Sequence, residues 1–166
     1  MSKFKSYKIW KNWHWCNILF RFSLLFDCRR MVKQVIFKKS CLYTLPFPDK
    51  LDINKLFGFS YGLHHNNSAR FGWHCVEDHI ALFAYCYING KREEKFITLI
   101  KPEQEYKLMI SVSNKKYVFT VFEGKNLIQR TIDKPNNLFK IGYKLWPYFG
   151  GNRKAPHTME ILLADE

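Results

Sequence analysis

The chain has 166 residues, 47% of them hydrophobic and 17% aromatic, which is enough for one core and short for two. Its net charge of +13 is unevenly spread: residues 1–40 carry ten Lys/Arg against Asp27 alone, and the other 126 carry 17 basic and 13 acidic side chains. The body is therefore only mildly basic, which argues against specific nucleic-acid binding and confines the charge argument to the N-terminal segment.

Residues 1–30 interleave Trp10, Trp13 and Trp15 with Lys8 and Lys11, then turn apolar from Ile18 to Phe26 around Arg21. That run is too short to span a bilayer, so no transmembrane segment is expected, and Arg21 spoils it as a signal-peptide core. The segment reads as a basic aromatic extension, outside the fold, that can touch an anionic surface. The domain is expected to span residues 31–166, and a chain beginning at Met31 to keep a cooperative melt.

From Val32 onward the chain reads as short strands separated by turn signals. Val32–Phe37 is the first, and Pro46-Phe47-Pro48-Asp49 breaks the chain before Asn54–Tyr61. From Ser68, alternation puts Phe71, Trp73 and Cys75 on one face and Ser68, Arg70, Gly72 and His74 on the other. His79–Ile88 alternates in the same way. Pairing these runs through a turn at Glu77-Asp78 sets Trp73 against Leu82, Phe71 against Ala84, Arg70 against Tyr85 and Ser68 against Tyr87. Asn89-Gly90 is a type I′ hairpin signal leading into Glu94–Ile100. The same register brings Glu94 beside Tyr85 and Arg92 beside Tyr87, and turns Lys95 to the core side, so a bulge or strand end is expected there.

Tyr106–Val112, Lys116–Phe122, Asn126–Thr131, Phe139–Phe149 and Thr158–Leu163 complete about ten strands, with a loop at Pro135-Asn136-Asn137. No helical period or repeat intervenes. The expected fold class is all-β, a two-sheet antiparallel β-sandwich.

The face opposite the apolar row gathers Ser68, Arg70, Tyr85 and Tyr87, and His64, His65 and Asn66 precede its first strand. A guanidinium with five donors beside phenols suits a carboxylate or vicinal hydroxyls. Hydrolysis is disfavoured, because that face holds Glu94 but no second carboxylate. Ser68 lacks a nucleophile elbow. β-Elimination on a uronic acid needs a base, a proton donor and a cation on the substrate carboxylate, roles that His64 or His65, Tyr85 and Arg70 can fill. In Leu145-Trp146-Pro147-Tyr148-Phe149-Gly150-Gly151-Asn152, proline interrupts the ladder and the glycines permit a sharp turn, as at a binding rim or a closed sandwich end.

The five cysteines are odd in number and lack CxxC spacing, and read as free thiols, with Cys75 and Cys86 turned inward. A zinc site drawn from His64, His65, His74, Cys75 and His79 is disfavoured, because His74 and Cys75 point to opposite faces. No metal or other cofactor is called for. Free thiols without a signal peptide favour a cytoplasmic location. Nothing in the sequence speaks to oligomeric state.

Asp52–Ser60, His64-His65 with Asn67–Trp73, Phe83–Tyr87, Pro147–Gly151 and Ala155-Pro156-His157 together resemble a poorly characterised group of bacterial proteins of the Bacteroidetes. The resemblance covers Met31–Glu166 and implies the concanavalin A-like jelly roll shared by lectins, glucanases and polysaccharide lyases. The paired-glutamate strand of the glucanases is missing, and Tyr148-Phe149-Gly150-Gly151 matches the Tyr-Phe-Lys-Ala-Gly strand of alginate lyases only loosely. The expected function is therefore non-catalytic binding of a saccharide or small polar ligand on the concave sheet. The alternatives are a lyase acting on a uronate polymer and a protein-interaction module. The expected binding set is His64, His65, Asn66, Ser68, Arg70, Tyr85, Tyr87, Tyr148, Asn152 and His157.

Overall fold

The structure, a computed structural model, describes residues 3–17, 23–135 and 141–166. Over these residues the chain forms twelve strands: β1 (Lys5–Ile9), β2 (Leu24–Phe26), β3 (Arg30–Phe37), β4 (Asn54–Ser60), β5 (Asn67–Val76), β6 (His79–Ile88), β7 (Lys91–Ile100), β8 (Glu105–Val112), β9 (Lys116–Glu123), β10 (Asn126–Asp133), β11 (Ile141–Leu145) and β12 (Met159–Asp165). The only helical pieces among them are single 3-10 turns at Lys39–Cys41 and Asp49–Leu51. Part of the apolar run after Ile18, the loop residues Asn136 and Asn137, and the start of the expected Phe139–Phe149 strand lie outside the described residues.

Two six-stranded antiparallel sheets face one another, ordered β1-β12-β3-β8-β9-β10 and β2-β11-β4-β5-β6-β7. The expected all-β sandwich is thus present with two strands more than the ten read from the sequence. Both extra strands fall in residues 1–30. β1 pairs with β12, from Lys5 opposite Leu163 to Ile9 opposite Met159, and β2 pairs with β11. Tyr7, Ile9 and Cys16 are buried in the core. Over its described part, the segment expected outside the fold is woven into both sheets, because its alternate apolar residues cover the edge that β12 would otherwise expose.

The β5–β6–β7 meander follows the expected register residue for residue. Glu77 and Asp78 form the two-residue turn, with Glu77 at φ 54°, and Asn89-Gly90 forms the next, at φ 50° and 81°. Phe71, Trp73, Leu82, Ala84 and Cys86 are fully buried between the sheets. Lys95 does turn toward the core side, opposite Ala84. It sits at the sandwich rim, where its ammonium donates to Thr131 O at 2.8 Å. The bulge lies just beyond it, where the register shifts at Leu82/Phe83 and Ile97 is buried.

Burying Tyr7 and Ile9 contributes about 1.5–3 kcal/mol each, and removing β1 also strips β12 of its outer partner, leaving it an exposed edge beside β3. A chain beginning at Met31 should therefore lose most of its cooperative thermal transition by circular dichroism. A sharp melt within a few degrees of the full chain would refute this.

Candidate functional site

The site grows from the outward face of the β2–β7 sheet, whose cross-strand pairs line up in rows. One row runs Gly58, Arg70, Tyr85, Glu94 and the next Ser60, Ser68, Tyr87, Arg92, with Tyr143 of β11 opposite Ser60. Lys55 joins this face through a bulge. Lys55 and Gly58 are three residues apart and would point to opposite sides of a regular strand, but the β4–β5 register shifts between them, so Lys55 opposes Gly72 and both point outward. Gly58 is required where it stands, because a Cβ there would lie 2.0 Å from Ala69 O and 2.8 Å from Arg70 Cγ.

Arg70 is the centre of the site. It is 7% exposed, its Nε is buried without a hydrogen-bond partner, and it forms no ion pair with the described residues. Glu94, one strand away, pairs with Arg92 instead, at 3.2 Å. What surrounds Arg70 is aromatic and basic. Its guanidinium carbon lies 5.5 Å from the Tyr85 ring centroid, and Lys55 Nζ lies 4.8 Å from the same ring. These cation–π contacts offset part of the cost of burying two like charges together.

The electrostatics follow. Desolvation, then the Arg70 and Arg92 charges, pull the Lys55 ammonium down to about 8. Burial likewise lowers Arg70 and pushes the Tyr85 phenol well up, so Tyr85 stays protonated at neutral pH. His64 is held below the ordinary histidine value by desolvation and then by His65 and Arg70, so it is neutral at pH 7. Its Nδ1 lies 3.3 Å from Tyr143 Oη, and its ring lies 4.3 Å from that of His65, which in turn meets Tyr87 edge-on at 5.1 Å.

Most of the expected residues meet at this face. Ser68 belongs to it by register but is buried, with its hydroxyl donating to His64 O at 2.7 Å; it holds the histidine loop in place. Asn66 is exposed and accepts from Gly90 N through its carbonyl, tying the same loop to the β6–β7 turn. Tyr148 flanks Lys55, and the two exchange both backbone hydrogen bonds, at 2.8 and 2.9 Å. Asn152 is exposed in the following loop. His157 stands apart: its Nε2 meets Ser40 O at 2.8 Å, beside β12 of the other sheet.

Four residues at the site escaped the sequence reading. Lys55 was masked by the bulge. Tyr143 reaches the face only because β11 pairs with β4, more than 80 residues earlier in the chain. His14 stacks on Tyr148 at 5.3 Å and 12°, and Trp15 meets the same ring edge-on at 5.9 Å. Their signal was the aromatic spacing of the first 15 residues. Asn54 supports the rim from inside: fully buried, it donates to Tyr43 Oη and accepts from Gly150 N, both at 2.8 Å.

No family model and no curated sequence matches the chain. Solved structures do. An alginate lyase from Klebsiella pneumoniae superposes with a TM-score of 0.61 at 10% identity, over 81% of this chain and 57% of the lyase. A functionally unknown protein from Saccharomyces cerevisiae gives 0.57 at 12% identity, over 87% and 70%. The CBM2 module of the evolved Dit of Lactobacillus casei BL23 phage J-1 gives 0.51 at 12%, over 98% and 66%. The fold is a jelly-roll β-sandwich. The chain spans little more than half the length of the lyase it resembles.

Arg70 offers a test of whether its donors are structural. A buried cation without a partner lowers stability, so Arg70→Met, which keeps the apolar stem, should unfold in urea within about 1 kcal/mol of the parent or above it. A loss of several kcal/mol would make the guanidinium a structural strut.

Proposed function

We propose that the outward face of the β2–β7 sheet binds an acidic saccharide, with Arg70 as the group that reads its carboxylate. The observation carrying this reading is the Arg70 guanidinium, buried with its Nε unpaired among Tyr85, Lys55 and neighbouring phenols. Such a charge is costly to leave uncompensated, and a ligand carboxylate compensates it. The half-buried Tyr87, Tyr143 and Tyr148 supply ring faces and hydroxyls for sugar rings and their OH groups, while the buried Tyr85 ring holds Arg70 and Lys55 beneath them. The fold's likeness to an alginate lyase and to a CBM2 module supports a saccharide as the ligand class. A non-catalytic role leads: among the described residues, the carboxylate in the cross-strand rows of this face is Glu94, and it is paired with Arg92.

One observation favours a lyase as second reading. His64, neutral at pH 7, lies 3.3 Å from the Tyr143 hydroxyl, and both feel the charge of Arg70. In β-elimination, one of the pair takes the proton at C5 of a uronate while Arg70 neutralises its carboxylate. The other protonates the departing C4 oxygen as the C4=C5 double bond forms.

Calorimetric titration with oligomannuronates and with neutral gluco-oligosaccharides tests the first reading. Binding of the acidic series, abolished in Arg70→Met, is expected, and equal binding of both series by parent and variant would refute it. Ultraviolet absorbance of the unsaturated product, followed over hours, separates the lyase reading from the binder.

The pH dependence has a definite sign. Free Lys55 loses its proton near pH 8, and a bound carboxylate favours the charged form, so binding takes up a proton above that pH. Affinity for oligomannuronate should fall as pH rises through 8, by up to about tenfold per unit, and Lys55→Met should flatten that fall. A profile that is flat in the parent would show that Lys55 does not face the ligand.

A further inference from the structure

The cross-strand row on the Lys55 side of Arg70 leads off the sheet and onto the N-terminal segment. Trp15 pairs with Tyr148, Tyr148 with Lys55, Lys55 with Gly72, Gly72 with Phe83 and Phe83 with Phe96. Directly opposed residues of antiparallel strands share a face, so all six belong to the outward face of the site. The row is aromatic at both ends. Its middle is covered by the residue that precedes β4: a Cβ on Gly72 would lie 2.5 Å from Ile53 Cγ2, so the Ile53 side chain, 7% exposed, fills the space over the glycine. With strands spaced about 4.8 Å apart, the row runs roughly 24 Å across the sheet, so a ligand that reaches both ends passes over Ile53 and has the length of several linked sugar rings.

Trp15 is 58% exposed, yet it is not loosely held. Phe149 N donates to His14 O at 2.7 Å, Ala155 N to Trp13 O at 3.0 Å and Asn12 N to Ala155 O at 2.8 Å. The Tyr148 ring meets Trp15 at 73°, an edge contact that leaves more than half of the indole in water. A tryptophan whose backbone is fixed and whose ring remains exposed gains little for the core. It offers a large flat apolar face at small entropic cost of ordering.

We infer that Trp15, held by the N-terminal segment against Tyr148, is a stacking subsite for a sugar ring at one end of the site, so that the ligand is a saccharide chain lying across the strands. The inference rests on the proposed saccharide-binding reading and deepens it: Arg70 reads the charge, and Trp15 reads the length. Trp10 and Trp13, 47% and 48% exposed, lie on the same segment beside Lys8 and Lys11, a composition that also suits an anionic membrane surface.

The experiment titrates parent, Trp15→Ala and Trp15→Phe with an oligomannuronate ladder from dimer to octamer, alongside sedimentation with phosphatidylserine vesicles. In the parent, affinity should rise with length. In Trp15→Ala the gain at long lengths should be lost, about tenfold or more, while the shortest oligomers bind as before. Trp15→Phe should recover most of the gain. Loss at every length alike would make Trp15 a mere support for Tyr148, and an unchanged ladder would leave it no role in binding; either overturns the inference while saccharide binding stands. A parent that binds no oligomer overturns both readings. Vesicle binding that depends on Trp15, with the ladder unchanged, would assign the segment to a membrane surface instead.

Discussion

The constraint on which the structure depends is the alternation of β5 and β6. Phe71 and Trp73 on one strand, and Leu82, Ala84 and Cys86 on the other, are wholly removed from water. A slip of one residue would bring these five side chains to the surface and carry Arg70 and Tyr85 into the core. The hydrophobic free energy of that row sets the register, and the register sets the opposite face. Arg70 stands beside Tyr85 because the rows behind it cannot move.

Two bulges turn this regular meander into a site. The one in β4 brings Lys55 to the same side as Arg70, placing two cations against one phenol ring. The one in β7 lies beyond Phe96, which faces Phe83 in the same register as Glu94 and Tyr85, and it resets the alternation so that Leu99 opposes Ala81 and the buried Ile100 opposes Ile80. Both are single-residue offsets: the first sets the Lys55 ammonium beside Arg70, and the second returns the apolar side of β7 to the core at Ile100. The cost of holding unpaired positive charge here is balanced by the rest of the sandwich, in keeping with strain and desolvation gathering at functional surfaces.

The described part of the N-terminal segment belongs both to a sheet and to the rim of the candidate site. β1 closes one sheet against β12, and a few residues later Trp15 bridges to Tyr148 beside the other sheet. A stretch of the chain that covers an edge thereby delivers His14 and Trp15 to the rim of the face. Asn54, satisfied on both sides by Tyr43 and Gly150, fixes that rim from within.

The strands from Arg30 onward, the two hairpin turns of the meander and the row of Arg70, Tyr85 and Glu94 were legible in the sequence, because period-two patterning and turn chemistry are local and two independent faces had to agree. The membership of β1 and β2 in the two sheets was not legible, since basic and aromatic residues around them hide the alternation of Tyr7 and Ile9. Lys55 could not be placed by alternation, because a bulge reverses its side. Tyr143, Tyr148 and Trp15 join the site only through pairings between segments far apart in the chain, and His157 leaves it because its ring meets Ser40 instead. Local pattern decides which face of a strand a side chain occupies; which strands become neighbours, and so which side chains share a surface, is decided only when the sheets close around their common core.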